Sequence, residues 1–173
     1  MDEVTVRWAQ LEDALALATV QVRSWQEAYR GLVAQDYLDG LDPIQRLPLW
    51  AERLAAGVWP ERGTLVAERD GGVVGFATMS TGSAGNDAEI HAIYVTPDAW
   101  GTRAGRLLMA EAVRRLGEAG CTEAILWVLE SNERARRFYE KAGWHADGGR
   151  APHEVGGEEH TVIRYRVATT SGK

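Results

Sequence analysis

The sequence predicts a mixed α/β fold in which strands and amphipathic helices share one core. Three observations support this class. Strand-like runs alternate with segments of helical periodicity, a strong hairpin signal lies near the middle, and no repeat or linker divides the chain. The 173 residues are enough for one domain with a sizeable core. We therefore expect a single domain over residues 1–173.

The first part of the chain is predicted to form one strand and two helices. VTVRWA at residues 4–9 alternates apolar and polar side chains, as a half-buried strand does. Apolar residues then recur at helical spacing from Leu11 to about Arg30. GLVAQDYLDGLDP breaks this periodicity, and a second helix is expected to follow Pro43 and to end near Gly57.

The remaining elements begin with a hairpin. TLVAERDGGVVGFATMS contains two strand-like runs joined by Asp70-Gly71-Gly72, a strong turn signal. SAGNDA is predicted to be a loop, and EIHAIYV a strand that Pro97 stops. The next helix begins at WGTRAG and ends at Gly120. EAILWVL is predicted as a strand, NERARRFYEKAG as a short helix and HTVIRYRV as the final strand.

Composition and charge exclude several classes of protein. The net charge of −6 argues against a general nucleic-acid binder, and no apolar run approaches the ~20 residues of a membrane span. The single cysteine, Cys121, excludes an internal disulfide and is expected to pack in a buried strand. MDEVTVRW does not resemble a secretory signal, so we expect a cytoplasmic protein with no nucleic-acid or membrane partner.

The charges are distributed unevenly along the chain. Residues 1–99 carry 7 basic and 15 acidic side chains, whereas residues 100–141 carry 8 basic and 6 acidic ones. This arrangement suggests a cationic partner on one side of the molecule and an anionic partner on the other.

The segment WGTRAGRLLM at residues 100–109 is a turn that runs into a helix. Its spacing is neither a dinucleotide fingerprint nor a Walker A loop. The first backbone N–H groups of a helix have no intrahelical partner, and the macrodipole favours an anion there. Arg103 and Arg106 are unfavourable in this first turn unless an anion is bound. The alternative is that both arginines are solvated and the glycines only shape the turn.

A second segment, ESNERARRFYEKAGW at residues 130–144, predicts a short amphipathic helix. Ser131 or Asn132 is suited to cap its N-terminus, and Gly143 to end it. Taken alone, this segment is an ordinary surface helix in which Tyr139 would more often belong to the core than to a catalytic site.

Together and in this order, the two segments resemble the GNAT superfamily of acyl-CoA N-acyltransferases. In that family a loop of the form [RQ]xxGx[GA] binds the pyrophosphate of acetyl-CoA, and Trp100 to Gly105 occupies that position. Asn132 to Trp144 matches the family pattern Nxx[AS]xxFYxxxG[FW]. The resemblance covers about residues 65–167. Trp100 departs from the pattern, as does Arg103, which replaces a glycine and would be strained if the backbone required a positive φ.

The resemblance implies a single-domain α/β fold (α+β in some schemes) with a mixed, mostly antiparallel, twisted sheet. About seven strands and about four flanking helices are implied. Residues 1–62 would supply the front strand and the acceptor-side helices, residues 63–145 the acetyl-CoA-binding core, and residues 146–173 the C-terminal strands and tail. Acetyl-CoA is the implied cosubstrate, with no metal, and a homodimer is a common assembly in the family.

The resemblance also implies which residues bind acetyl-CoA. Backbone groups of Ile93–Val95 would pair with the pantetheine arm as a strand does, and a free N–H there could serve the oxyanion. The full set implied for cofactor binding is Ile93, Tyr94, Val95, Trp100, Gly101, Thr102, Arg103, Ala104, Gly105, Arg106, Asn132, Ala135, Phe138, Tyr139 and Lys141.

Acetyl transfer to an amine has three requirements. The amine must lose a proton, the developing oxyanion needs a hydrogen-bond donor, and the leaving thiolate benefits from a nearby acid. The resemblance puts Tyr139 near the thioester sulfur, and a phenol with an ordinary pKa of ~10 is protonated at pH 7. The alternative is that Tyr139 packs the helix or only hydrogen-bonds the sulfur.

Strand residues 89–95 supply candidates for the proton acceptor. A period of two places Glu89, His91, Ile93 and Val95 on one face, unless a β-bulge intervenes. Glu89 could accept the amine proton directly or through water, and His91, with an ordinary pKa of ~6.5, could do so unaided. The alternative is that both side chains only touch solvent at a strand end.

The acceptor pocket is expected to come from the front helices and the last strand. Trp25 and Tyr29 lie four residues apart on one helical face, and aromatic faces beside carboxylates suit an alkylammonium group. Tyr165 is predicted to lie on an edge strand and to add to the wall. The alternative is that the aromatic pair is core. The residues predicted for this pocket are Trp25, Tyr29, Tyr37, Glu89 and Tyr165.

These inferences predict an N-acetyltransferase that transfers the acetyl group of acetyl-CoA to a primary amine of a small molecule. SWQEAYRGLV and DYLDGLD are similar to a bacterial subgroup of small-molecule and polyamine-type acetyltransferases. Direct attack in a ternary complex is expected because no nucleophile is evident. A catalytically silent acyl-CoA-binding or sensory domain, and a protein N-terminal or lysine acetyltransferase, are the alternatives.

Overall fold

The computed structural model describes residues 3–82 and 88–169, which form a seven-stranded sheet flanked by helices. The strands are β1 (Val4–Trp8), β2 (Arg62–Arg69), β3 (Gly72–Ser80), β4 (Ala88–Val95), β5 (Glu123–Leu129), β6 (His145–Val155) and β7 (Glu158–Ala168). The helices are α1 (Ala14–Ala28), α2 (Gln35–Asp39), α3 (Pro43–Ala56), α4 (Ala104–Glu118) and α5 (Glu133–Lys141). Single 3-10 turns occupy Leu11–Asp13 and Pro97–Ala99.

The sheet order is β1-β2-β3-β4-β5-β7-β6. Every neighbouring pair is antiparallel except β4 and β5, which run parallel. The predicted mixed, mostly antiparallel sheet of seven strands is therefore confirmed. The described residues contain five helices, one more than expected, because α2 has only five residues and is too short to show periodicity in GLVAQDYLDGLDP.

Helices cover both faces of the sheet. On one face, α1 and α3 pack over Val66 and Phe76. On the other face, α4 and α5 pack over the alternate residues of the same strands, among them Leu65 and Ala77. Because successive strand residues point to opposite faces, one hairpin supplies the floor of both apolar layers. The central strands are therefore held on both sides.

The central hairpin has the predicted position and a tight turn. Arg69 pairs with Gly72, so only Asp70 and Gly71 form the loop. Their φ values of 55° and 81° belong to the two-residue turn whose twist matches a hairpin. Glycine is needed at position 71 because its backbone has a positive φ, whereas Gly72 is already part of β3.

The C-terminal hairpin changes one expectation about the sheet edge. β6 is largely exposed, contains Pro152 and has a register shift between Ala146 and Arg150. These features suit an edge strand and hide the period-two pattern. Since β6 occupies the edge, β7 lies between β5 and β6, and the predicted edge position of Tyr165 is wrong.

Two further expectations concern single features of the chain. Cys121 is buried as expected, at 1% exposure, but it lies in the connection before β5 rather than in a strand. The predicted loop SAGNDA falls on residues 83–88, of which only Ala88 lies within the described residues. Across residues 3–82 and 88–169, no helix is long and apolar enough to cross a membrane.

Candidate active site

The candidate site is a cleft that opens where two parallel strands separate. β4 and β5 pair only at Ala88 with Ala124 and at Glu89 with Ile125, although both strands continue for several residues. Beyond these pairs, the facing edges of the two strands have no ladder partner in the described sheet. A cavity of about 950 Å³ is lined by both strands. Its walls therefore present free backbone N–H and C=O groups in strand geometry.

The N-terminus of α4 opens into the same cleft. Gly101, Thr102, Gly105 and Arg106 line it. The Thr102 hydroxyl accepts the N–H of Ala104 at 3.2 Å. Within the described chain, the N–H groups of Gly105 and Arg106 have no acceptor, as a bound anion would require.

The unusual residues of this loop cause no backbone strain. Arg103 caps α4 with a φ of −83°, so the predicted difficulty of a non-glycine residue does not arise. The positive φ falls on Gly101 instead, at 82°. Arg103 is exposed and Ala104 is fully buried, and neither side chain lines the cleft, so their assignment to cofactor binding stays a prediction.

Close packing joins the start of α4 to α5. A Cβ at Gly105 would lie 3.3 Å from Cε1 of Phe138, so glycine allows the two helices to approach. Asn132 caps α5 by accepting the Ala135 N–H at 3.2 Å, which selects Asn132 over Ser131 as the N-cap. The two segments that carry the family resemblance are therefore in contact.

Tyr139 presents an unbonded phenol to the cleft. Its ring is 9% exposed and packs against Phe138, Trp144 and Tyr165. No described residue hydrogen-bonds its hydroxyl group, although Tyr139 lines the cavity. Burial, with a smaller contribution from Tyr94, raises the pKa of Tyr139 strongly above its ordinary value. The group is therefore a neutral donor at physiological pH.

A β-bulge interrupts β4 at His91. Ile90 pairs with Met79 and Ala92 with Thr78, which leaves His91 as the extra residue. A β-bulge is the feature that would change the predicted faces of this strand, and the structure contains one.

Because of the bulge, the side chains that a period of two placed on one face of β4 lie on two different faces. Ile90 before it and Ile93 and Val95 after it all contact the core layer beneath α4. Glu89, adjacent to Ile90, therefore points to the other face. The predicted common face of Glu89, Ile93 and Val95 is wrong, because the extra residue shifts the alternation by one position.

Glu89 and His91 form a linked pair at the cleft wall. Nδ1 of His91 lies 3.5 Å from Oε2 of Glu89, and its Nε2 lies 2.7 Å from Oγ of Ser80. Both side chains are about one-third exposed, at 28% for Glu89 and 31% for His91. With a proton on Nδ1, both nitrogens of the imidazole are engaged and Glu89 keeps free acceptor positions.

An aromatic wall lies on the α1 side of the cleft. The rings of Trp25 and Tyr29 are 5.3 Å apart, and Trp25 meets Tyr94 edge-on at 6.1 Å. Burial raises the pKa values of Tyr29 and Tyr94, so both phenols are neutral. The C-terminal hairpin completes this end of the cleft with Ala151, Pro152, His153, Val155 and Val162.

Two residues predicted for the acceptor pocket lie elsewhere. Tyr37 is outside the cleft lining and packs beside Gly156. Tyr165 is fully buried, donates its hydroxyl hydrogen to Glu140 at 2.7 Å and accepts from Nε of Arg136 at 3.1 Å. Tyr165 therefore attaches α5 to β7 behind the cleft, and its assignment to the pocket wall is a correction.

The other predicted residues are brought together. Those that line the cleft are Trp25, Tyr29, Glu89, His91, Ile93, Tyr94, Val95, Trp100, Gly101, Thr102, Gly105, Arg106, Asn132, Ala135, Phe138, Tyr139 and Lys141. The last strand, β7, was expected at the site, whereas β5, β6, Arg134 and Arg137 were not assigned to it from the sequence. The strand contributions follow from the separation of β4 and β5, which has no local sequence signal.

The cleft lining is strongly cationic. In the described part of the chain it contains Arg106, Arg134, Arg137 and Lys141, whereas Glu89 is its one carboxylate. This distribution agrees with the basic segment at residues 100–141 and suits an anionic ligand at the α4–α5 end. No group of three metal-ligating side chains occurs among the described residues.

Comparisons with known proteins agree with this geometry. A model of the acetyltransferase (GNAT) family matches residues 21–144. The uncharacterised N-acetyltransferase YuaI of Bacillus subtilis is 33% identical over 132 residues, covering 75% of this chain and 73% of YuaI.

Two solved structures share the fold. PaiA N-acetyltransferase from Thermoplasma acidophilum in complex with coenzyme A has a TM-score of 0.73 at 21% identity, covering 94% of this chain and 98% of that chain. YncA from Salmonella typhimurium, with its cofactor acetyl-CoA, has a TM-score of 0.71 at 18% identity, covering 99% and 96%.

The fold and the sequence relatives together define an α/β N-acyltransferase. The start of α4 and the capped α5 helix are the parts of the chain that carried the resemblance, and both line the cleft between β4 and β5. The chain belongs to the GNAT family and is an N-acetyltransferase.

A substitution of Tyr165 tests whether this residue holds α5 in place instead of contacting the acceptor amine. Tyr165→Phe keeps the ring but loses both hydrogen bonds, so we expect the free energy of unfolding to fall by about 1–2 kcal/mol. Urea unfolding measures this loss, and steady-state kinetics should show a KM for the amine within about twofold of wild type. An unchanged stability with a raised amine KM would return Tyr165 to the pocket wall.

Proposed function

We propose that the enzyme transfers the acetyl group of acetyl-CoA to a primary amine of a small molecule in a ternary complex. One observation carries this proposal: the free start of α4, the free edges of β4 and β5, and the phenol of Tyr139 all open into one cleft. An extended anionic thioester needs these three features together.

Acetyl-CoA would bind along the length of this cleft. The free N–H groups of Gly105 and Arg106 suit a diphosphate, since helix N-termini and cations both favour one. The unpaired edge of β4 suits the amides of pantetheine, which can pair as an added strand does. This placement would bring the thioester to Tyr139 and direct the nucleotide towards the cations of α5.

The acceptor amine would enter from the end of the cleft that lies between α1 and the C-terminal hairpin, away from the start of α4. Trp25 and Tyr29 offer aromatic faces, and Glu89 is the one carboxylate of the described lining, so an alkylammonium group is attracted there. The C-terminal hairpin and α1 both wall this end, which favours a small acceptor over a protein segment. Residues 1–62 thus supply much of the acceptor side.

Glu89 is our candidate for the proton acceptor. Ser80 and Glu89 engage the two nitrogens of His91, which positions the imidazole to orient the carboxylate. Glu89 takes the amine proton directly or through water, and the neutral nitrogen attacks the thioester carbonyl. A free N–H of β4 would stabilise the oxyanion.

Collapse of the oxyanion completes the transfer. The new C–N bond remains, the C–S bond breaks, and the Tyr139 phenol donates its proton to the departing thiolate. The second proton of the acylated nitrogen then passes through water to the Tyr139 phenolate, which leaves a neutral amide and restores the phenol. Direct attack is favoured because Cys121 is buried outside the cleft lining and burial raises the pKa of its thiol. Ser80 is also absent from the lining residues of the described chain.

The function is tested by binding and turnover together. Calorimetry should detect acetyl-CoA binding, and a thiol-release assay over free primary amines should find at least one substrate. Peptides with free N-terminal or lysine amines serve as the comparison set. Acetylation of peptides but of no free amine would contradict the small-molecule acceptor, and the absence of acetyl-CoA binding would contradict the whole proposal.

Tyr139→Phe tests the proposed acid. Phenylalanine keeps the buried ring and loses only the proton donor, so kcat should fall by about 10²-fold while the Kd for acetyl-CoA stays unchanged. Calorimetry and steady-state kinetics measure the two quantities. Tyr37→Phe is the matched control, since its phenol lies outside the cleft lining. Weaker acetyl-CoA binding with unchanged turnover would make Tyr139 a structural residue.

Glu89→Gln and His91→Asn test the division of roles in the pair. The first variant removes the proton acceptor, so kcat should fall by about 10²-fold, and the second removes only its support and should cost about 10-fold. Both variants should bind acetyl-CoA as the wild type does. A normal rate in Glu89→Gln with a large loss in His91→Asn would assign the proton to His91.

A further inference from the structure

Trp100 is a fixed platform at the end of β4. Its indole Nε1 donates to the carbonyl of Val95 at 2.8 Å, which ties the first residue of the loop back to the strand. The ring is partly exposed and lines the cleft next to Gly101. One face of the indole is therefore available in a constant orientation beside the N-terminus of α4.

Arg134 of α5 lies on this platform. Cζ of its guanidinium is 3.5 Å from the centroid of the Trp100 ring, which is a direct stacking distance. The four other arginine–tryptophan contacts of the described chain are longer, at 5.1–5.5 Å. Tryptophan is the strongest aromatic partner for a cation, and a planar guanidinium stacks well on it.

The stacked guanidinium has no anionic partner in the described chain. Arg134 takes part in no hydrogen bond or salt bridge there, and partial burial alone lowers its pKa from the ordinary value. Stacking occupies a face of the group but leaves its N–H edges free to donate. By contrast, Arg137, on the same helix, pairs with Glu133 at 3.5 Å. The guanidinium of Arg134 is thus held in place at the cleft with its N–H groups free to donate hydrogen bonds.

We propose that Trp100 holds Arg134 in place to bind a phosphate oxygen of the acetyl-CoA diphosphate, and that this pair replaces the arginine or glutamine of the related loops. The inference rests on the proposed function, since acetyl-CoA must bind in the cleft. Arg134 is the binding residue and Trp100 the positioning residue. The cation comes from α5, 34 positions later in the chain, and reaches the loop because the two helices are in contact at Gly105.

The chemistry favours the diphosphate as the partner. Arg134 shares its side of the cleft with Gly101, Gly105 and the free N–H groups of the α4 start. A charged hydrogen bond from a guanidinium to a phosphate is short and strong, and it adds to the donors of a helix N-terminus.

Three thioesters test the assignment: acetyl-CoA, 3′-dephospho-acetyl-CoA, which lacks only the 3′-phosphate, and S-acetylpantetheine, which lacks the diphosphate together with the adenosine. In Arg134→Gln, the Kd for the first two should rise by the same factor, about 10-fold or more, because each retains the diphosphate. The KM for S-acetylpantetheine and the kcat at saturating acetyl-CoA should not change. Arg134→Lys keeps the charge without the planar fork and should recover only part of the affinity.

Trp100→Leu tests the positioning role through a double-mutant cycle. Arg134→Gln is expected to raise the Kd for acetyl-CoA by some factor in the wild-type background. If Trp100 acts by holding Arg134, that factor should be at least about threefold smaller in the Trp100→Leu background. Arg114→Gln is the matched control for charge, since Arg114 lies on α4 outside the cleft lining. Thermal unfolding of each variant checks that the fold is retained.

Each outcome bears on the proposal. Unchanged acetyl-CoA affinity in Arg134→Gln would overturn it while leaving the proposed function intact, provided that the wild type binds acetyl-CoA. A loss seen with acetyl-CoA but not with the 3′-dephospho analogue would assign Arg134 to the 3′-phosphate and overturn the diphosphate contact. An equal Arg134→Gln effect with tryptophan or leucine at position 100 would overturn the role of Trp100.

Discussion

The separation of β4 from β5 is the constraint on which the site depends. A sheet gains stability when both edges of each inner strand are paired, and here two inner strands forgo most of that pairing. The free backbone groups need another partner, which water or an extended amide ligand in the cleft can supply. The fold thus keeps a strand-shaped gap at the centre of an otherwise continuous sheet.

Support from both sides keeps this gap open. β4 is held by its antiparallel partner β3, and β5 by β7, so each strand is fixed along the edge that faces away from the cleft. Tyr165 adds a cross-link from β7 to Arg136 and Glu140 of α5. Each wall of the cleft is therefore a strand that is already paired along the edge facing away from the cleft.

The sequence was informative where the determinants are local. The Asp70-Gly71 turn and the loop before α4 each depend on a few adjacent residues and were predicted, and the N-cap of α5 was narrowed to Ser131 or Asn132. The errors concern long-range pairing. The edge position of Tyr165 depended on whether another strand lay beyond β7, and the face of Glu89 depended on a bulge at His91. Neither sheet order nor register can be read from one strand alone.

Tyr139 combines a buried ring with a phenol that faces the cleft. Burial of its ring raises the pKa of the phenol and keeps the proton on the oxygen, which a proton donor requires. The hydroxyl group itself is not among the fully buried, unpartnered polar atoms of the described chain, so it reaches the open space of the cleft. The unpaired edges of β4 and β5 open into the same space. One elongated ligand in this cleft could therefore use both the free phenol and the free strand edges.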